Sequence, residues 1–480
     1  MSAGGWRTRT RSGENTAVRD RRYKGHAFPR AMRFGLEPGN QVPSCGVDDG
    51  VVFVPGVPGL PPGASWITRA SESWSGPLIL LLLPCVLALP LGAVGAAATE
   101  PAFEAAPADA WPLARGSLAG TGRSAAVLAL PLTEAWHRAF EKTAFGAVPV
   151  IADGTIYLGD LDGTFHALAL ADGATRWSFK AEAAGFPSAA AVAPAPGPPL
   201  VIVGDDTGVV RAFDRGTGTV VWEYETDGEI SGGPTILPAA GGDRVLVGSQ
   251  DASLSCLNLA DGKLVWKHSI ADQIRCAPVV ARTAAGDRVF IAGCDGKLHV
   301  IDAATGKEQA TVPIDGPTGT TPAVLGDRVF FGTEGGAFFA IDYVKAAAAW
   351  RAAPAGAGQA YRSSAALADG LVIVGSRRRA VEAFATADGA RSWRRPMRGR
   401  VDASPVVVGI ADSGRDAAEP RPAAIVADAA GKVMVLDAAT GEPRWEFDAG
   451  GGFGAGAAVA AGRVVIASDD GTVWCFATAP

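Results

Sequence analysis

Asp437-Ala438-Ala439-Thr440-Gly441-Glu442-Pro443-Arg444-Trp445 joins an acidic turn, a Thr-Gly pair and a tryptophan eight residues after the aspartate. The chain repeats this phrase. Asp214-Arg215-Gly216-Thr217-Gly218 leads to Trp222, and Asp302-Ala303-Ala304-Thr305-Gly306-Lys307 reproduces the turn almost letter for letter. Reduced copies set Asp172-Gly173 before Trp177, Asp261-Gly262 before Trp266 and Asp388-Gly389 before Trp393. Self-similarity at a fixed spacing is the signature of a repeat architecture.

Aligning each copy on Trp445 gives Trp136, Trp177, Trp222, Trp266, Ala310, Trp350, Trp393 and Trp445, with steps of 41, 45, 44, 44, 40, 43 and 52 residues. The longest step contains an insertion, Gly409 to Pro422, rich in charge and proline. This period matches a four-stranded propeller blade. In the fourth copy, Ala277–Ala281, Asp287–Gly293 and Lys297–Asp302 read as strands, with a fourth from Lys307 to Val312. Asp-Gly turns between short apolar runs fit antiparallel hairpins, and the 62 glycines of the 480-residue chain supply the positive φ such turns need.

The last copy has three strands, Ala455–Ala460, Arg463–Ala467 and Thr472–Phe476, and then the chain stops. Conversely, Trp136 stands at the front without three strands before it. The stretch Thr133–Lys142 is therefore expected to complete the last blade, which removes an unpaired edge. The predicted fold is all-β, an eight-bladed propeller of four-stranded antiparallel blades closed by an N-terminal strand.

The net charge of −6 gives no general electrostatic reason to bind nucleic acid. Six cysteines without C-x-x-C spacing and five histidines without paired ligand spacing indicate no metal site. His166 and His299 fall at equivalent third-strand positions, which repeat position explains. Cys276 and Cys294 flank a hairpin centred near Ala285. Two readings stay open for them, a disulfide in an oxidising compartment or two small buried thiols.

Residues 1–76 mix arginines with Gly-Pro stretches and read as disordered or as lying upstream of the true start. Residues 77–98 are apolar and uncharged, ending in Ala96-Ala97-Ala98 before Thr99. They read as a signal peptide or, if uncleaved, a membrane anchor. Residues 99–110 read as a linker and 111–480 as the propeller domain.

The pattern strand, Asp-Gly turn, then Leu-x-x-Ile/Leu-Asp-x-x-Thr-Gly-Lys/Glu-x-x-Trp resembles the tryptophan-docking repeat of PQQ-like, quinoprotein-type propellers. Trp111-Pro112-Leu113-Ala114-Arg115-Gly116 resembles the lead-in to their first blade. The resemblance covers 111–480 and weakens in the fifth copy, where Lys345-Ala346 replace Thr-Gly. It implies blade-docking roles for Trp136, Trp177, Trp222, Trp266, Trp350, Trp393 and Trp445, with Asp214, Asp302, Asp437, Thr217, Thr305, Thr440, Gly218, Gly306 and Gly441 shaping the turns.

The same family contains alcohol and sugar dehydrogenases that hold pyrroloquinoline quinone (PQQ) with calcium. It also contains non-catalytic propellers such as the lipoprotein of the outer-membrane β-barrel assembly machine. The turns facing the quinone side carry Asp160, Asp162, Asp205, Asp206, Asp251, Asp295, Glu334, Asp428, Asp469 and Asp470, but Asp-Gly is also what these turns need for geometry. Long insertions and an adjacent cysteine pair of the dehydrogenase kind are lacking.

We therefore expect an exported, monomeric, non-catalytic scaffold of the periplasm or cell envelope, with no cofactor, binding an envelope protein or polysaccharide. Arg377-Arg378-Arg379, beside Arg362, stands where the repeat calls for Asp-Gly and reads either as a solvated loop or as a docking patch. The alternatives are a PQQ- and calcium-dependent dehydrogenase and a polysaccharide-binding or sensor module. N-terminal sequencing of the exported protein should begin at Thr99; recovery of residues 1–75 would overturn that reading.

Overall fold

A computed structural model describes residues 104–353, 359–411 and 420–478. The segments 1–98, read as extension and signal peptide or anchor, and most of the Gly409–Pro422 insertion lie outside them. Among the described residues no helix is long and apolar enough to cross a membrane.

Eight antiparallel sheets follow one another along the chain. Blade 1 comprises Val150–Ala152, Thr155–Gly159, Thr164–Ala169 and Thr175–Lys180, running from the axis outward. In blade 4 the strands are Val279–Ala281, Arg288–Ala292, Lys297–Asp302 and Glu308–Pro313, within two residues of the boundaries read from the sequence. Blade 8 is closed by two ends of the chain: Leu132–Ala139 pairs antiparallel with Thr472–Thr478, Ala139 opposite Thr472. The expected closure is thus observed. A further strand, Arg123–Ala129, runs parallel to the innermost strand of blade 7, Val406–Ala411.

Strand alternation sets each core between neighbouring blades. In blade 4, Leu298 and Val300 pack with Phe331 and Ile341 of blade 5, whereas Ile301 packs with Leu254 and Cys256 of blade 3. Seven of the eight seams are fastened by the repeated tryptophan. Its Nε1–H donates across the seam to a backbone carbonyl at 2.9–3.1 Å, for example Trp177 to Arg215, Trp266 to Ala303 and Trp445 to Leu132.

Six of the seven indole faces lie on a glycine of the next blade. Gly173, Gly218, Gly262, Gly306, Gly389 and Gly441 have φ of 69–75°. A Cβ on any of them would lie 2.5–2.9 Å from the ring. In three of these turns the aspartate that opens the turn caps it from below. Asp214 Oδ1 accepts from Thr217 N–H and Oγ1–H at 2.9 Å each, and Asp302 and Asp437 repeat the arrangement with Thr305 and Thr440. The Thr217 and Thr305 bonds hold the Asp214 and Asp302 carboxyls below the usual range.

The seam between blades 4 and 5 departs from this pattern twice. Ala310 replaces the tryptophan, and the facing glycine is Ala346, still at φ 52°. The two changes are one, because with no ring pressing on it the turn no longer has to exclude a Cβ. Tyr343 fills the space, its ring 4.8 Å from Phe290.

Residues 104–122 form a feature the sequence did not reveal. They run round the inside of the ring and answer inner strands of seven blades. Trp111 pairs with Ile151, and carbonyls of Pro112, Leu118, Ala119, Thr121, Gly122 and Ala108 accept from Val192, Val280, Val324, Leu367, Val407 and Ala461. Within the stretch read as a linker, 99–110, residues 104–110 are held against the propeller, with Ala106 N–H donating to Arg123 O at 2.8 Å.

Gly306→Ala should lower stability by about 2–4 kcal/mol, from left-handed strain plus overpacking against Trp266. Ala346→Gly should change it by less than about 1 kcal/mol. Denaturant unfolding of the two variants checks the contrast, and equal losses would refute it.

Candidate functional site

In a meander blade, the turns between second and third strands share one face with the links that lead into the next first strand. These two sets are stitched together. The N–H groups of Phe186, Ile230, Ile274, Tyr361, Val401 and Phe453 donate to Asp160, Asp205, Ser249, Thr333, Ser376 and Asp428 carbonyls of the preceding blade, at 2.9–3.1 Å. Backbone geometry on this face is accordingly fixed.

The carboxylates expected there serve the same turns. Asp160 Oδ1 accepts from Asp162 and Thr164 N–H at 3.1 and 2.7 Å, Asp205 Oδ1 from Thr207 and Val209 at 2.9 Å each, and Asp428 Oδ1 from Ala430 and Lys432 at 2.9 and 3.1 Å. Their second oxygens are also engaged, by His166, Arg211 and Gly399 N–H. Burial works to raise the Asp160 pKa, but the bonds from His166 and Thr164 outweigh it and the net shift is downward. Asp206, Asp251 and Asp469 likewise accept from backbone N–H groups, of Gly185, Ser253 and Gly454.

Blade 6 differs. Arg377 Nε and Nη2 fork onto both Asp402 oxygens at 2.9 and 2.8 Å, which pushes the guanidinium pKa above its ordinary value. Arg400 reaches the same carboxylate at 3.1 Å, and Arg362 lies 3.4 Å from Glu334. Arg378 buries Nη2 without a partner. Arg379 is exposed and has φ 54°, a position held by glycine in six other blades and by Ala252 in blade 3. A non-glycine residue in the left-handed region costs about 1–2 kcal/mol, so this turn carries strain that the six glycine-bearing blades avoid and only Ala252, at φ 68°, shares.

Cys276 and Cys294 are both free. Val279 stands opposite Phe290, a register that places Cys276 level with Gly293, one residue short of Cys294. Cys276 Sγ lies 3.6 Å from Ala292 O and Cys294 Sγ 3.7 Å from Thr318 O. Burial pushes the Cys276 thiol up to about 12.

The structure also assembles a group that sequence spacing concealed. His268, on the outer strand of blade 3, meets His299 and Glu308 of blade 4, with ligand atoms all within 4.8 Å of one another. His166, the repeat counterpart of His299, instead has Asp160 on Nε2 and the rings of Phe140 and Phe145 around it. On the opposite face of the ring, a largely apolar cavity of about 340 Å³ lies beside Glu104, Leu113, Asp153 and Arg215.

Eight blades fastened by the tryptophan repeat define a PQQ-like propeller. The model of the outer membrane protein assembly factor BamB family matches residues 98–226, 206–284, 277–409 and 377–479, and the chain belongs to this family. No curated protein matches it in sequence. Among solved structures, BamB from Moraxella catarrhalis is 18% identical with a TM-score of 0.55, over 72% of this chain and all (100%) of that one. Quinohemoprotein alcohol dehydrogenase from Comamonas testosteroni is 14% identical with a TM-score of 0.59, over 77% of this chain and 80% of that one. The computationally designed Ika8 protein, at 15% and 0.54, covers 71% and 98%. At these identities the likeness is one of fold.

Arg379→Gly should raise stability by about 0.5–1 kcal/mol by releasing the strained φ, after the entropy glycine adds to the unfolded chain. Thermal melting measures it, and a destabilised variant would contradict the strain.

Proposed function

We propose that the protein is a non-catalytic scaffold of the cell envelope that docks a protein partner through the blade 6 side of its turn-bearing face. The observation that carries this reading is Arg379. The repeat favours glycine there, and the chain keeps an exposed cation at a strained position, next to Arg377 and within a face whose backbone is otherwise stitched rigid. Stored strain at a rigid surface fits a recognition site. The cation favours a partner that offers carboxylates, because guanidinium groups pair with them in a two-pronged geometry.

The carboxylates of the same face support the non-catalytic reading, since Asp160, Asp205 and Asp428 spend both oxygens on their own surroundings. A calcium site draws on several free oxygens. Membership of the assembly-factor family agrees with a docking role and with export. Residues 77–98 would direct that export, or tether the protein if uncleaved.

Replacing Arg377, Arg378 and Arg379 together by serine should leave the folded propeller intact and reduce capture of envelope proteins by at least tenfold. Undiminished capture would refute the assignment. Saturable uptake of PQQ with calcium, together with dye reduction by alcohols or aldoses, would establish the dehydrogenase instead. Retention on an envelope polysaccharide without protein capture would favour a polysaccharide-binding module.

A further inference from the structure

We propose that His268, His299 and Glu308 form a binding site for a divalent transition-metal ion of the zinc type, which clips blade 3 to blade 4. Each side chain is brought to the point by strand geometry. His268 lies two residues from Trp266 and two from Ile270 on the outer strand of blade 3, and both neighbours pack toward blade 4. His299 shares the blade 3 side of its strand with Ile301. Glu308 reaches the same side because of a bulge. The register shifts so that Ile301 faces Glu308 while Val300 faces Ala310. A bulge of this kind bends the strand locally and re-aims a side chain.

The hydrogen-bonding pattern leaves a place for a cation. His299 Nε2 lies 3.1 Å from Asp295 Oδ2, and its Nδ1 lies 2.7 Å from Glu308 Oε1. A neutral imidazole has one N–H and cannot donate to both carboxylates. Protonating His299 would satisfy that pair, but it leaves His268 Nε2 buried with no hydrogen-bond partner, 3.7 Å from the same Glu308 oxygen. A metal ion accounts for all three atoms. Ligands about 2.0–2.2 Å from zinc sit roughly 3.3 Å apart in a tetrahedral site; the two distances to Glu308, 2.7 and 3.7 Å, lie on either side of that, and the two imidazoles, with all three ligand atoms within 4.8 Å, close on the ion by side-chain rotation. Glu308, with its side chain 40% exposed, can make the adjustment and leaves a fourth position open to water.

Asp295 supplies the usual support. Its carboxylate, 3% exposed, would fix His299 with the proton on Nε2 and the lone pair of Nδ1 toward the ion, as metal-bound histidines are commonly held. Room for it comes from Gly293. Other blades carry a capping side chain there, such as Asp205, Ser249 or Ser468. At Gly293 a Cβ would fall 2.6 Å from Asp295 Oδ1. Two imidazoles and one carboxylate suit zinc and its neighbours better than calcium or magnesium, which prefer oxygen.

The test is equilibrium dialysis and calorimetric titration of zinc into the untagged full-length protein, with cobalt(II) as a spectroscopic probe of the same ligands. We expect one saturable equivalent, visible bands of four-coordinate cobalt and a higher melting temperature with the ion. His268→Ala and Glu308→Gln should each lower affinity by more than tenfold, and Asp295→Asn by about 10–100-fold. His137→Ala, which removes a surface histidine paired with Glu134, should leave binding unchanged. Glu308 is exposed enough that its variant keeps the fold if His268→Ala does not. Absence of saturable binding, or binding that both ligand variants leave unaltered, would overturn the proposal.

Discussion

The contact on which the rest of the molecule depends is an indole laid flat on a glycine of the next blade, with its N–H tied to a carbonyl beyond. In the six seams that have all three parts, the parts act together. The carbonyl fixes the height of the ring, the ring excludes a Cβ, and the left-handed turn that glycine permits is what brings the carbonyl into range. Truncating one such tryptophan forfeits on the order of 3–5 kcal/mol. The pairing of Ala310 with Ala346 shows the coupling from the other side: when the ring goes, the demand on the turn goes with it, and Tyr343 takes up the volume.

This explains what could be read from the sequence. A tryptophan and the turn of its own blade are eight residues apart, so the period and the blade count stand out, and the closing strand followed from counting strands at both ends. The path of residues 104–122 did not stand out, since a segment that visits seven blades once each has no period and alternates no hydrophobic face. Only Trp111-Pro112 and the glycines hinted at it. Gly122 shows why glycine is needed, because a Cβ there would strike Arg115 at 2.1 Å.

The candidate site was legible in part. Arg377–Arg379 could be singled out because they break the repeat, but the left-handed φ of Arg379 and the fork of Arg377 onto Asp402 arise only in the folded turn. His268, His299 and Glu308 lie on two blades, and linear spacing between ligands means little when each comes from a different strand. The cysteine pair depended on a hairpin centre known to half a residue. Val279 opposite Phe290 sets that centre between Ala284 and Ala285, and such a shift decides whether two thiols face each other.

Residues 104–122 also bear on how the face with the arginines can act. Inner strands converge on the axis with one edge unpaired, and an unpaired edge invites exchange or slippage. The segment occupies that edge in nearly every blade, and Arg115 ties it further by donating Nη2–H bonds to Ala365 and Pro405 carbonyls, 2.8 Å each, in the links into blades 6 and 7. Burial pulls the Arg115 pKa down to about 9, which still leaves it charged at neutral pH. Blades fastened outside by tryptophans, inside by this segment and on one face by stitched turns have little freedom to shift. A partner arriving at Arg379 therefore meets a preset array, and the ordering cost of binding falls chiefly on the partner.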